Sequence, residues 1–127
     1  MNWIVFLYVL AEIETGNGFE NKPDVVTKYQ ITQAVVDRYN DYNDTNLTLK
    51  RIAAGEISPE FFVVNVLQND AIEFHKAHRR KPTHMEYAVF WRDGYPMPDA
   101  GKRHLLYAER LLNLYWNEMY KRDLVSR

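Results

Sequence analysis

The fold of this chain is decided by a segment near its N-terminus, Ile13-Glu14-Thr15-Gly16-Asn17, and by the segment Lys28-Tyr29-Gln30-Ile31 that follows a polar gap. Apolar residues precede the first segment at helical spacing and predict a helix over residues 2–13. Gly16 tolerates positive φ and ends that helix. The β-branched and aromatic residues over 25–31 predict a strand or hairpin. A glutamate therefore stands where a buried helix meets a short β element.

The middle of the chain predicts three helices. Thr32 caps the first, which the polar stretch 40–44 ends, and a short helix follows over residues 47–54. Ser58-Pro59-Glu60 starts the third, with serine as N-cap, proline in the first position and an acid near the positive end of the helix dipole. We expect this helix to reach about His78. Its apolar positions are Phe61, Val64, Leu67, Ala71 and Ile72.

Two further helices are predicted in the C-terminal third. Thr83-His84-Met85-Glu86 has the form of a capping box and begins a helix that runs through Trp91. A loop with two prolines covers residues 93–101. The final helix carries an apolar stripe formed by Leu105, Ala108, Leu112, Tyr115 and Met119. With no linker or repeat, the pattern predicts one domain over residues 1–127, of mostly helical α+β class with one short hairpin.

Composition excludes several classes of function. The net charge of −1 gives no overall attraction to nucleic acid. The absence of cysteine excludes disulfides, a thiol nucleophile and thiolate metal sites. The apolar run Trp3–Leu10 is too short to span a bilayer and lacks the basic flank and cleavage site of an export signal. Aromatic residues make up 14% of the chain, which is compatible with a sugar-binding cleft.

Three stretches, in order, resemble one family. Residues 10–17 and 28–31 resemble the "ESG-N … YQI" signature of lysozyme-like proteins near the goose-type lysozymes and soluble lytic transglycosylases. Residues 80–91 resemble their "R-x-P-T … E-x-A-x-x-W" segment, and residues 107–114 resemble the closing "ERA … NL" helix of bacterial and phage members. The resemblance covers about residues 10–115 and implies a lysozyme-like helical bundle with the hairpin beside the cleft.

The resemblance implies roles for individual residues. Glu14 corresponds to the catalytic acid, and Gln30 lies in the cleft wall with Tyr29 beside it. Tyr29, Gln30 and Trp91 are the candidate sugar contacts, because an amide can bond an N-acetyl group and an aromatic face can stack on a pyranose ring. Core packing is the alternative for the two aromatic residues. The family's "A-Y-N-x-G" loop corresponds to residues 90–94, where tryptophan and arginine replace the tyrosine and asparagine.

The chemistry of glycoside cleavage sets conditions on Glu14. A carboxyl group can protonate the leaving oxygen near neutral pH only in an apolar, partly buried setting. A solvated residue at a helix end is the alternative interpretation. Glu12 lies on another helix face, and Glu20 or Asp24 could supply a second carboxylate. We expect a lysozyme or lytic transglycosylase that cleaves the MurNAc-GlcNAc β-1,4 bond of peptidoglycan without metal or cofactor. The product, hydrolysed or 1,6-anhydro, stays open.

Two other functions fit parts of the sequence. A catalytically silent glycan-binding or virion structural module suits the altered residues 91–93. A nucleic-acid or protein adaptor would use the basic cluster at 78–81, although a helix C-terminus favours cations in any case. His75, His78 and Glu73 have helix-compatible metal spacing, but solvation is the favoured interpretation.

The expected partner is the glycan strand of the bacterial cell wall, and we expect a monomer with neither a membrane span nor a nucleic-acid partner. Because no export signal is recognised, a phage-encoded lysin or virion protein, or a trimmed form of a longer protein, fits the sequence.

Overall fold

The computed structural model describes residues 1–16, 18–95 and 102–125. In these ranges the chain forms six helices and one two-stranded antiparallel sheet. The elements are α1 (Trp3–Thr15), β1 (Val25–Val26), β2 (Ile31–Thr32), α2 (Gln33–Asn43), α3 (Leu49–Ala53), α4 (Pro59–His78), α5 (His84–Asp93) and α6 (Lys102–Lys121). The prediction of a mostly helical α+β fold with one short hairpin is confirmed.

The backbone divides into two compact units, of which one comprises residues 10–69. It contains the end of α1, the hairpin, α2, α3 and the first half of α4. Its interior is built from aliphatic and aromatic side chains, and the rings of Tyr39 and Phe62 stack with their centroids 4.7 Å apart. Burying this apolar surface stabilises the unit. The buried set includes Leu10, Val26, Tyr29, Ile31, Val36, Ile52, Val63, Val66 and Leu67.

The predicted β element is a hairpin. Val25 pairs with Thr32 and Val26 with Ile31 in antiparallel register, and the four residues between them form the turn. The backbone N–H of Gln30 closes this turn with a hydrogen bond to the carbonyl of Thr27 at 3.0 Å. A two-stranded sheet is marginal in isolation, so burial of Val26 and Ile31 is what keeps it formed.

Helix α2 begins after Thr32 and leads to α3 through a loop that one asparagine holds. Thr32 occupies the predicted N-cap position with extended backbone, although its side chain makes no capping hydrogen bond. The helix continues to Asn43, and Asp44 ends it in the left-handed region with φ 52°. Asn40 then accepts from the N–H of Leu47 through Oδ1 and donates to the Leu47 carbonyl through Nδ2, both at 2.9 Å. These paired bonds fix the loop that leads to α3.

The other unit comprises residues 1–9 and 70–127. Here Tyr115 of α6 accepts a hydrogen bond from the backbone N–H of Asn2 at 2.9 Å, which fixes the start of α1. The predicted capping box is confirmed: Thr83 Oγ1 accepts from the N–H of Glu86, and the Glu86 carboxylate accepts from the N–H of Thr83. The buried residues of this unit include Val5, Phe6, Phe74, Ala88, Phe90, Leu111 and Met119.

Two predicted apolar faces are partly wrong. Phe61 and Ile72 of α4 are 56% and 53% exposed, and Leu105 of α6 is 43% exposed. The helices instead bury Phe62 and Val63 in α4 and Leu111 in α6. In each helix apolar residues stand at neighbouring positions, so the helical period fits two overlapping stripes equally well. Of the predicted loop 93–101, Asp93 belongs to α5 and residues 96–101 lie outside the described residues.

Candidate functional site

Glu14 lies in the last turn of α1, where it is half-buried, whereas Glu12 is exposed. The helix ends at Gly16, whose φ of 61° is in the left-handed region and whose N–H donates to the Glu12 carbonyl at 2.9 Å. Glycine adopts this conformation without steric cost. Glu14 therefore stands at the border between a partly buried helix and an exposed segment.

The hydroxyl of Thr15 joins the end of α1 to the hairpin. Thr15 Oγ1 lies 2.9 Å from the carbonyl oxygen of Ala11 and 3.2 Å from that of Lys28. Its single proton is shared between these two acceptors. The first contact is the back-bond usual for threonine in a helix, but the second spans from the helix to the turn. The residue next to Glu14 is thus bonded to the turn that ends at Gln30.

The turn between the strands has a strained backbone. Thr27 and Gln30 have φ values of 65° and 58°, and a positive φ is a genuine outlier for a β-branched residue. Such positions cost on the order of 1–3 kcal/mol each and are held only where the surroundings over-determine them. Here Asn21 Oδ1 accepts from the N–H of Thr27 at 2.8 Å. Because strained backbone clusters at binding and catalytic sites, this turn is the candidate ligand platform.

Gln30 presents a fixed amide at this platform. Its Nε2 donates to the Thr27 carbonyl at 2.9 Å, which orients the side chain. The side chain is half-buried, and within residues 1–16, 18–95 and 102–125 no hydrogen bond engages Oε1, which is therefore available as an acceptor. An oriented amide oxygen of this kind can receive an N–H from a ligand.

Tyr29 is buried beneath the turn and holds it to α4. Its side chain is 2% exposed, and its hydroxyl donates to Glu60 Oε1 at 3.2 Å. Lys28 Nζ lies 3.8 Å from the same oxygen, and Ser58 Oγ donates to the other at 3.3 Å. Burial, followed by the charge of the Glu60 carboxylate and its hydrogen bond, raises the pKa of Tyr29, so the hydroxyl stays a donor at neutral pH. Such a ring offers no face to a sugar, which favours the packing alternative for Tyr29.

Glu60 is a member of this cluster that sequence reasoning missed. The sequence indicates only the role of an acid at the start of a helix, because Ser58-Pro59-Glu60 is a complete local signal for that role. Nothing local indicates that Tyr29, 31 residues earlier, donates to it.

Trp91 belongs to the other unit, where α5 buries it to 6% exposure. Residues 90–93 are helical rather than a loop, and the N–H of Gly94 ends the helix by donating to the carbonyl of Phe90 at 2.8 Å. The guanidinium of Arg92 lies over the ring of Tyr107 at 5.3 Å. The helix predicted through Trp91 is therefore confirmed and extends to Asp93, so the loop that the resemblance implies for residues 90–94 is helical up to Asp93. The burial of Trp91 favours core packing over a sugar contact.

The remaining candidates lie on the surface. Glu20 and Asp24 are exposed in the segment before β1, and His75 and His78 are exposed on α4. Within residues 1–16, 18–95 and 102–125, no group of three or more His, Asp or Glu side chains is placed to hold a metal ion. None of the helices in these ranges combines the length and apolar character that crossing a membrane requires.

Comparisons with models of known protein families, with curated proteins and with solved structures found no match. The lysozyme-like resemblance therefore stays a prediction from the sequence, and the candidate site rests on its own geometry.

Proposed function

We propose that this chain cleaves peptidoglycan as a lysozyme or lytic transglycosylase, with Glu14 as the proton donor. The observation that carries the proposal is the contact of 3.2 Å between Thr15 Oγ1 and the carbonyl oxygen of Lys28. It joins the helix end that bears the acid to the strained turn that bears Gln30. A glycan-cleaving site requires an acid together with groups that bind the sugar, and this contact connects the segment that carries the half-buried Glu14 to the turn that carries the oriented amide of Gln30.

Each of the two polar residues has a role in this proposal. Glu14 protonates the glycosidic oxygen between MurNAc and GlcNAc as the C1–O bond breaks, which is the step for which a glycosidase needs a general acid. Water or the sugar's own 6-hydroxyl then bonds to C1, giving the hydrolysed or the 1,6-anhydro product, and the proton that it releases returns to the Glu14 carboxylate. Gln30 Oε1 accepts the N–H of an N-acetyl group, because its own Nε2 is already engaged with Thr27. Tyr29 supports the turn from below instead of contacting the sugar. The substrate would place the protein at the bacterial cell wall.

A second candidate is a glycan-binding module of the same kind without turnover. The helical conformation of residues 90–93 and the burial of Trp91 favour it, because the resemblance assigned substrate contacts to a loop there. Both candidates predict binding to glycan strands, and only the first predicts product.

The test is digestion of purified peptidoglycan, with mass spectrometry of the released fragments. Wild-type protein is compared with Glu14→Gln and with the matched control Glu12→Gln, which removes an exposed carboxylate two residues earlier. We expect Glu14→Gln to lose roughly 10²–10⁴-fold in rate, as for removal of a general acid, and Glu12→Gln to retain the wild-type rate. A fragment lighter by one water identifies the anhydro product.

The other outcomes are equally decisive. Full activity in Glu14→Gln removes the assigned role of that residue. Wild-type sedimentation with insoluble peptidoglycan without any fragment selects the binding module. Neither binding nor product rejects both candidates.

A further inference from the structure

The end of α4 and the chain that follows form a continuously exposed basic segment, residues 75–81. Every one of these seven positions is exposed, and the segment has the sequence His-Lys-Ala-His-Arg-Arg-Lys. Cations at a helix C-terminus are favourable in themselves, because they face the negative end of the dipole. The helix dipole therefore accounts for one or two of the four Lys and Arg charges in this segment, and the others call for a further explanation.

Arg79 occupies a backbone position that does not suit arginine. It follows the last residue of α4 with φ 58°, and its N–H donates to the His75 carbonyl at 2.8 Å. This is the left-handed position after a helix, where glycine is usual because a Cβ is strained there. A long charged side chain is thus kept at a site where the backbone disfavours it. Strain of this kind is grounds for seeking a function in the side chain.

The charges of the segment divide into paired and unpaired ones. Lys76 Nζ lies 3.1 Å from Glu73 Oε1, and Arg80 is held by Glu86 through two contacts of 2.6 and 3.1 Å. Arg79 and Lys81 have no carboxylate within ion-pair distance among residues 1–16, 18–95 and 102–125. Two exposed cations therefore remain available to a ligand beside Arg80, whose guanidinium is held by Glu86.

The local charge differs in sign from that of the whole chain. Residues 73–86 contain four Lys or Arg and two Glu, a balance of +2, so the rest of the chain carries −3 of the total of −1. A polyanion is attracted to this segment and not to the protein in general. A thin, flexible polyanion can bind this segment alone. A nucleic-acid duplex is broader, and its phosphates would also approach the negatively charged remainder of the protein surface, which disfavours it.

We propose that the basic segment binds a linear phosphodiester polymer without bases, of the kind attached to bacterial cell walls. The segment contains no Phe, Tyr or Trp, and the adjacent Phe74 is 1% exposed with the Arg80 guanidinium 4.7 Å above its ring. It thus lacks the large Phe, Tyr and Trp faces that form stacking platforms for single-stranded nucleic acids, and the ring of His78 is packed against Phe74 with centroids 4.3 Å apart. The charge of the polymer backbone is therefore the main feature that the segment can recognise. The choice of a cell-wall polymer, among polymers of this chemistry, rests on the proposed function. The binding of a phosphodiester chain rests only on the charge and geometry of the basic segment.

The experiment measures binding of full-length protein to poly(glycerol phosphate) over a range of salt concentrations. The test variant is the pair Arg79→Gln and Lys81→Gln. The matched control is the pair Lys22→Gln and Lys50→Gln, which removes the same charge at two exposed positions elsewhere. For flexible chains, each phosphate contact contributes about 0.7 to the slope of log K against log salt, so we expect the test pair to lower that slope by about 1.4. The control pair should retain the wild-type slope.

Several outcomes would overturn the proposal. These are no binding by wild-type protein at low salt, equal loss in the test and control pairs, or tighter binding to a single-stranded DNA of equal phosphate number. Digestion of peptidoglycan stripped of phosphate polymers separates this proposal from the previous one. Inactive wild-type protein there rejects the enzymatic function and leaves the polymer assay intact, whereas an active test pair that no longer binds the polymer supports both.

Discussion

Tyr29 and Glu60, 31 residues apart in the chain, are joined by a hydrogen bond of 3.2 Å from the phenol to the carboxylate. The bond anchors the turn of the hairpin to the first turn of α4. Lys28 adds a charge contact to the same carboxylate at 3.8 Å. The position of Gln30, the residue after Tyr29, thus depends on Glu60 through this bond.

We expect Tyr29→Phe to lower the free energy of unfolding by about 1 kcal/mol, since it removes one hydrogen bond and keeps the buried ring. Urea denaturation at neutral pH measures the change. Tyr8→Phe is the control, because the Tyr8 ring is 47% exposed and its loss of a hydroxyl should change stability by less than about 0.5 kcal/mol. Equal effects in the two variants would contradict the anchoring role. Weaker glycan binding by Tyr29→Phe is the functional counterpart.

Because the backbone at Gln30 is strained, we expect a glycine at this position to give a more stable protein than an alanine. With φ at 58°, Gln30→Gly should be more stable than Gln30→Ala by roughly 1 kcal/mol, although both lose the side-chain bond to Thr27. The same pair of substitutions at Gln68, an exposed position in α4, should give the opposite order by a similar amount. Both Gln30 variants should lose glycan affinity. Alanine equal to glycine at position 30 would contradict the strain.

Local chemistry could be predicted from the sequence, and tertiary pairing could not. The capping box at 83–86 and the helix start at 58–60 were predicted because their side chains bond to nearby backbone in the same turn. The role of Glu60 was missed because its partner Tyr29 is brought to it only by packing of the hairpin. Aromatic residues suit both a cleft wall and a core, so residue type alone did not decide the burial of Tyr29 or Trp91.

The apolar faces show a second limit. Phe61 and Phe62 are adjacent and equally apolar, yet the first is 56% exposed and the second is fully buried. Periodicity defines a stripe to within one position, and only the packing partners choose between neighbours.

The free energy of unfolding should decrease as the pH falls, because His84 resists protonation in the folded protein. This residue packs against the rings of Tyr115 and Trp116 at 5.4 and 5.2 Å, and burial, followed by the positive N-terminal amine, lowers the pKa of its imidazole below the ordinary value of 6.5. The unfolded chain therefore takes up a proton near pH 6.5 that the folded chain still resists, so stability is lost as the pH falls below that value. We expect a shallower fall in His84→Gln. Urea midpoints at pH 8 and pH 5.5 measure it, and parallel profiles would contradict the assignment.

The capping box should contribute measurably to stability. Thr83→Ala removes the acceptor for the N–H of Glu86, and we expect a loss of about 1 kcal/mol in the free energy of unfolding. Thr83→Ser keeps the hydroxyl and should remain within about 0.5 kcal/mol of wild type, because serine is at least as good an N-cap. Chemical denaturation of the three proteins tests this. If Thr83→Ser loses as much stability as Thr83→Ala, the effect comes from the threonine methyl group and not from the capping hydroxyl.

Stability and polymer binding should change in opposite directions at Arg79. Glycine removes the strain of φ 58°, which is worth on the order of 1 kcal/mol, and forfeits a favourable charge at the helix C-terminus of about 0.3–1 kcal/mol. We therefore expect Arg79→Gly to unfold at an equal or higher urea concentration than wild type while binding poly(glycerol phosphate) more weakly. Arg79→Gln keeps the strain and should be less stable than Arg79→Gly. If Arg79→Gly is less stable than wild type, the arginine itself contributes to folding, and its position needs no ligand to explain it.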